Sequence, residues 1–162
     1  MLISVNELIK YWNVNPKGVI HVGAHEAEES FQYNDANWGK VYWVEAQPDK
    51  VEFLNKKFAN TKDSVIAAAV WSTPGVALDL QVMTNSASTS LLNLGTHHDA
   101  HPDIAYSHSL KVSTQVLEKL IPEDSNADYL CLDIQGAELE AIKGFGDRIS
   151  KMKWIYSEVN ED

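Results

Sequence analysis

Cysteine, basic side chains and long apolar runs are all scarce in this chain of 162 residues. The single cysteine, Cys131, excludes a disulfide framework within one chain. It sits in the apolar run Tyr129-Leu130-Cys131-Leu132, where a buried small hydrophobe is expected rather than a nucleophile. Lysine and arginine number 13 against 23 aspartates and glutamates, for a net charge of −10. A field of that sign repels phosphate backbones and anionic headgroups, so nucleic acid and membrane surfaces are not expected partners. No apolar run approaches the roughly 20 residues of a membrane span, and Met1 to Lys10 lacks a basic segment followed by a long apolar stretch. The expectation is a cytoplasmic protein. Glycine is missing where a dinucleotide fingerprint would need it: the full G-x-G-x-x-G does not occur, because Ala24 and Ala27 stand where further glycines belong.

What is present is enough apolar content, 44%, for one domain whose core buries about 70% of the surface the unfolded chain exposes. The domain is expected to span residues 1–162, with residues 1–17 a docking helix, residues 18–159 the core and residues 83–109 a polar loop. Its organising stretch is Gly18-Val19-Ile20-His21-Val22-Gly23-Ala24-His25-Glu26. Residues 18 to 22 suit a buried parallel strand, and Gly23 allows a tight turn and close ligand approach. Strand, glycine turn and helix start together make an adenosine-cofactor site, or else an ordinary strand-to-helix turn.

Taken in order, residues 3 to 13 place Leu8, Ile9 and Trp12 at helical spacing, with Ser4 or Asn6 as cap. Glu26 to about Asn37 reads as a second helix with Phe31 and Tyr33 available for packing, and Glu26, Glu28 and Glu29 suit its N-terminus. The strand Val41-Tyr42-Trp43-Val44 ends in Glu45-Ala46-Gln47-Pro48-Asp49, and the next helix presents Val51, Leu54 and Phe58 on one face. Glu45 lies 22 residues after Gly23. About 20 residues is the separation at which a carboxylate on the second strand tip can accept both ribose hydroxyls of an adenosine; the plainer alternative is a solvated loop carboxylate.

A third strand is expected over Val65 to Val70, and the alternation of Val76 to Val82 predicts an antiparallel strand at the sheet edge. In the polar loop, Ser86, Ser88, Thr89 and Ser90 suit ligand contact or ordinary turns equally. His97, His98, Asp99 and His101 lack the i, i+4 register of a two-histidine site and a distant ligand pair, so no metal site is expected. Residues 112 to 121 read as a helix capped by Ser113 or Thr114. The run Asp128-Tyr129-Leu130-Cys131-Leu132-Asp133-Ile134-Gln135-Gly136-Ala137-Glu138-Leu139-Glu140 then gives a buried strand with Asp133 at its tip and a helix with Leu139 and Ile142 facing inward. Trp154 to Val159 repeats the strand pattern, with Glu158 near its end. In open α/β sheets such tips converge on the ligand crevice.

The stretches Ile20 to Glu26, Val44 to Pro48, and Tyr129 to Glu140 with Lys143-Gly144 resemble the FkbM-type methyltransferases over nearly the whole of residues 18–159. The resemblance implies an α/β, class I methyltransferase fold, a Rossmann-like three-layer sandwich on a mostly parallel sheet, with S-adenosylmethionine as cofactor. It implies Gly23, Ala24 and His25 along the methionine end, Glu45 on the ribose, Ala69 and Val70 flanking the adenine, and Asp133 facing the amino group and sulfonium. Ala46, Gln47 and Gln135 complete the implied cofactor-binding set. Ala27 departs from the glycine of many relatives, and the chain stops at Asp162 where the fold normally adds an antiparallel strand pair. The last strand's bare edge is therefore expected to meet a partner subunit.

Methyl transfer to a glycan or small-metabolite hydroxyl needs positioning and a base. His25 and Asp133 are the candidate catalytic residues; His97, His98, His101 and Glu158 are further candidates for the base. A nicotinamide-dependent oxidoreductase would use the same first strand but gives no role to Asp133-Ile134-Gln135-Gly136. A catalytically idle cofactor-binding or assembly module is the other alternative.

Overall fold

The computed structural model describes residues 3–83 and 106–157. In chain order these form α1 (Val5–Trp12), β1 (Gly18–Val22), α2 (Ser30–Asp35), β2 (Lys40–Glu45), α3 (Pro48–Lys57), β3 (Ser64–Ala67) and β4 (Ala69–Val70). They continue with β5 (Ala77–Met83), β6 (Tyr106–Gln115), α4 (Leu117–Leu120), β7 (Tyr129–Leu132), α5 (Glu138–Phe145), a 3-10 turn at Gly146–Lys151 and β8 (Trp154–Ser157).

Five of the strands make one all-parallel sheet in the order β3-β2-β1-β7-β8. The central strands are buried on both sides, as a parallel sheet covered on both faces requires. On one face Val19, Val41, Trp43, Tyr129 and Cys131 pack with Val5 and Leu8 of α1, Tyr33 of α2 and Leu54 of α3. On the other, Ile20, Val22, Tyr42, Val44, Leu130 and Leu132 pack with Leu117 of α4 and Ala141 and Phe145 of α5. This is the three-layer, Rossmann-like α/β arrangement expected from the sequence, with Cys131 buried as a small hydrophobe. The strand order reverses direction at β1, where the chain, having run outward through β2 and β3, returns to lay β7 against the other side of β1.

Several expectations are corrected. The run Val65 to Val70 is two strands: Ala68 N donates to Glu45 O, after which β4 leaves the parallel sheet and pairs with β6. The alternating strand β5 is antiparallel, as expected, but its partner is β6 in a separate sheet ordered β4-β6-β5, so it does not extend the parallel sheet's edge. Residues 112–115 are the end of β6, and only Leu117–Leu120 form a helical turn; Thr114 is no helix cap. Its hydroxyl donates to Thr73 O at 2.6 Å and accepts from Val76 N at 3.0 Å. Residues 106–109 of the expected polar loop likewise belong to β6.

The second helix starts at Ser30, four residues later than expected, with Phe31 exposed and only Tyr33 buried. Leu139 also points to solvent; Ile142 packs half-buried against the core as expected, and Ala141 and Phe145 complete the inward face of α5. Ser4 caps α1 through a reciprocal pair with Glu7, but Ile9 and Trp12 stay exposed and Val5 and Leu8 make the docking face. Residues 84–105 and 158–162, which include Ser86, Ser88, Thr89, Ser90, His97, His98, Asp99, His101, Glu158 and Val159, lie outside the described residues. No helix among the described residues is long and apolar enough to cross a membrane.

Candidate functional site

The carboxyl ends of β1, β2 and β7 meet β4 around one crevice, at the point where the strand order turns back, which is where open α/β sheets take ligands. It holds about 530 Å³ of space including its open mouth. Its walls include Gly23, His25, Glu45, Ala46, Gln47, Ala69, Val70 and Asp133, eight of the ten residues expected at a cofactor. Ala24 is buried beside it in the core, and Gln135 reaches it through Asp133, whose Oδ1 accepts from Gln135 Nε2 at 3.0 Å. Sequence reasoning missed Val22, Val44, Ala68, Leu80 and Ile134 on the same walls. The inward register of β5 was the available signal for Leu80.

The turn after β1 is unlike the strand that feeds it. Gly23 has φ +85°, His25 +46° and Ala27 +53°, three left-handed residues within five. Gly23 N and Ala24 N both donate to Val44 O, at 3.0 and 3.1 Å. A Cβ at Gly23 would lie 1.9 Å from Asp133 O, so the tips of β1 and β7 approach closely enough that only glycine fits. Left-handed non-glycine residues of this kind cost of order 1–3 kcal/mol each and persist only where their surroundings hold them.

The clamps that hold the turn come from β2 and α3. The buried carboxylate of Glu45 accepts from His25 N, Ala46 N and Gln47 N, each at 2.8 Å. Lys57 Nζ donates to Glu26 O at 2.7 Å and to Ala27 O at 2.8 Å, closing off two carbonyls of the reversed turn. Lys50 Nζ meets Glu26 Oε1 at 2.6 Å, and this ammonium hydrogen bond holds the Glu26 carboxyl below its ordinary range. Glu28 Oε1 lies 2.8 Å from His25 Nδ1. Glu26 and Glu28 therefore tie the turn, while Glu29 stands at the N-terminal cap position of α2. Burial pushes the Glu29 carboxyl up.

The turn after β7 is built similarly. Asp133 N donates to Val22 O at 3.0 Å, Gln135 has φ +53° and Gly136 +100°, and Ile134 N donates to Glu138 Oε1 at 3.1 Å. Two reversed turns thus lie side by side, presenting His25 and Asp133 to the crevice.

Chemically the crevice has two halves. Val44, Ala68, Ala69, Val70, Leu80 and Ile134 make an apolar slot, while Glu45, Gln47, His25 and Asp133 make a polar rim. Among the described residues, no lysine or arginine lies on its walls. Such a site suits a flat heterocycle joined to hydroxyls and a cation, and its described residues offer no lysine or arginine to a pyrophosphate. No group of histidine, cysteine and carboxylate side chains able to hold a metal occurs among the described residues.

A family model described as the methyltransferase FkbM domain matches residues 21–162. No curated protein and no solved structure matches the chain.

Proposed function

The chain belongs to the FkbM methyltransferase family, and from that premise we propose that it transfers the methyl group of S-adenosylmethionine to a hydroxyl on a glycan or small metabolite. The observation that carries the reading is the crevice itself, an apolar slot beside two carboxylates with no lysine or arginine among the described residues of its walls. In this reading the adenine lies in the slot by Ala69 and Val70, and the sulfonium and amino group lie toward Asp133 and the turn Gly23 to His25. Glu45 takes the ribose. A carboxylate has about four acceptor positions, and three backbone N–H groups already use Glu45. We therefore assign it one ribose hydroxyl rather than two. Gln47, buried at the same tip, stands next to it.

The protein's share of the catalysis is orientation in a preassembled crevice, plus a base for the hydroxyl proton. His25 is assigned that role, with Asp133 the second candidate. Two observations weigh against a nicotinamide-dependent oxidoreductase. The helix after β1 begins seven residues beyond Gly23, so its N-terminus does not follow directly from the glycine turn, and no lysine or arginine among the described residues lines the crevice. We place the enzyme in the cytoplasm from its acidic, cysteine-poor composition.

Calorimetric titration with S-adenosylhomocysteine tests the reading. Wild type is expected to bind at micromolar concentration, and Glu45→Ala and Asp133→Ala to weaken binding by roughly 1.5–3 kcal/mol, about ten- to a hundredfold. Circular dichroism checks that both variants fold. A well-folded wild type that does not bind overturns the proposal and leaves an idle module in its place.

A further inference from the structure

We infer that Glu28 is a positioning residue that orients His25 as proton acceptor, an assignment that rests on the methyltransferase reading above. His25 lies on the crevice wall with its side chain 19% exposed, and its Nδ1 is 2.8 Å from Glu28 Oε1. A carboxylate accepts hydrogen bonds, so this contact assigns the proton to Nδ1 and leaves Nε2 as the acceptor position of the ring. The contact is set by the turn, not by a helix: residues 25 to 28 precede α2, and the left-handed residues His25 and Ala27 bring the two side chains together. The turn is itself anchored by Glu45, Lys50 and Lys57, so the ring is placed before any ligand arrives. Preorganisation of this kind is where a positioning residue contributes to rate.

The step balances simply. The acceptor oxygen bonds to the methyl carbon as the carbon–sulfur bond breaks, its electron pair passing to sulfur and turning the sulfonium into a neutral thioether. The hydroxyl proton goes to His25 Nε2, and the resulting imidazolium is balanced by the Glu28 carboxylate until solvent takes the proton.

The test is the ring itself. Long-range nitrogen–proton NMR spectra of the full chain, labelled at histidine and assigned by the signal lost in His25→Asn, report the tautomer directly. Wild type is expected to carry the proton on Nδ1, and the His25 ring signals are expected to move when S-adenosylhomocysteine is added. Glu28→Gln keeps an acceptor and should keep the tautomer; Glu28→Ala should lose it. Both variants should bind S-adenosylhomocysteine within about threefold of wild type, because Glu28 does not line the crevice. A ring that keeps Nδ1–H in Glu28→Ala, or that does not respond to S-adenosylhomocysteine bound by the protein, overturns the inference while the methyltransferase reading stands. Failure of wild type to bind removes that reading, and with it the inference, while the tautomer stays readable, so the two failures are told apart.

Discussion

His21 and His25 are four residues apart on the same strand and turn, yet the fold gives them opposite surroundings. His21 sits inside β1, 1% exposed, with its Nδ1 3.1 Å from the Tyr33 hydroxyl and its ring against Trp43. Burial pushes its pKa down to about 4, so it is a neutral packing group. His25 sits on a reversed turn at the crevice, against a carboxylate. The tyrosine hydroxyl can donate or accept and leaves the His21 tautomer open, whereas Glu28 decides that of His25. Regular strand geometry buries a side chain; the strained turn at its end is what presents one. Three substitutions break or sharpen that contrast.

The largest effect is expected where strand becomes turn. Gly23→Ala combines a φ of +85° with a Cβ 1.9 Å from Asp133 O. Backbone strain and overpacking together come to roughly 2–6 kcal/mol, at the upper end comparable to the whole stability of many domains. Little soluble folded protein is expected on expression, and what folds should have a lowered urea midpoint and no affinity for S-adenosylhomocysteine. A stable, binding-competent Gly23→Ala would mean that the tips of β1 and β7 can part without loss.

Next comes His21, through pH. The native ring stays neutral down to about pH 4, while in the unfolded chain it protonates near pH 6.5. Between those values the unfolded state binds more protons, so this contribution is fully present above about pH 6.5 and is lost as pH falls toward 4. At 1.36 kcal/mol per pH unit the span from 6.5 to about 4 comes to roughly 3 kcal/mol, of which about 2 is lost between pH 7 and pH 5. Urea unfolding of wild type and His21→Leu at the two pH values measures it: the fall in wild-type stability should exceed that of the variant by this amount. Equal slopes would mean that His21 is hydrated in the native state.

The same contrast explains what was legible beforehand. β1, β2 and β7 could be read because burial on both faces makes them continuous apolar runs, and Gly23, Glu45 and Asp133 could be placed because each ends one of those runs. β6 could not. Its outer positions Ser107, Ser109, Lys111, Ser113 and Gln115 are exposed and polar, its inner positions are Leu110, Val112 and Thr114, and the mixture reads as loop and helix cap until β5 is laid against it. The roles of Glu26 and Glu28 were equally hidden. Lysines 24 and 31 residues further along bind Glu26, and a reversed backbone brings Glu28 to His25; neither has a local pattern.

The smallest expected effect lies at the other reversed residue of that turn. Ala27 has φ +53°, a conformation in which a Cβ costs about 1–2 kcal/mol, so glycine would relieve strain there. Its methyl is fully buried in the cluster with Val19, Trp43 and Leu54. Losing that burial costs about 0.8 kcal/mol, and the added freedom of glycine in the unfolded chain costs about 0.5–1 kcal/mol more. The two sides nearly cancel, so Ala27→Gly should move unfolding stability by less than about 1 kcal/mol and S-adenosylhomocysteine affinity by less than about threefold. Urea unfolding and the same titration decide it. A large gain would mean that the turn carries its strain unrelieved by packing. A large loss would make the Ala27 methyl an anchor of the turn equal to Glu45 and Lys57, and would explain on physical grounds why a reversed position in this chain holds alanine instead of glycine.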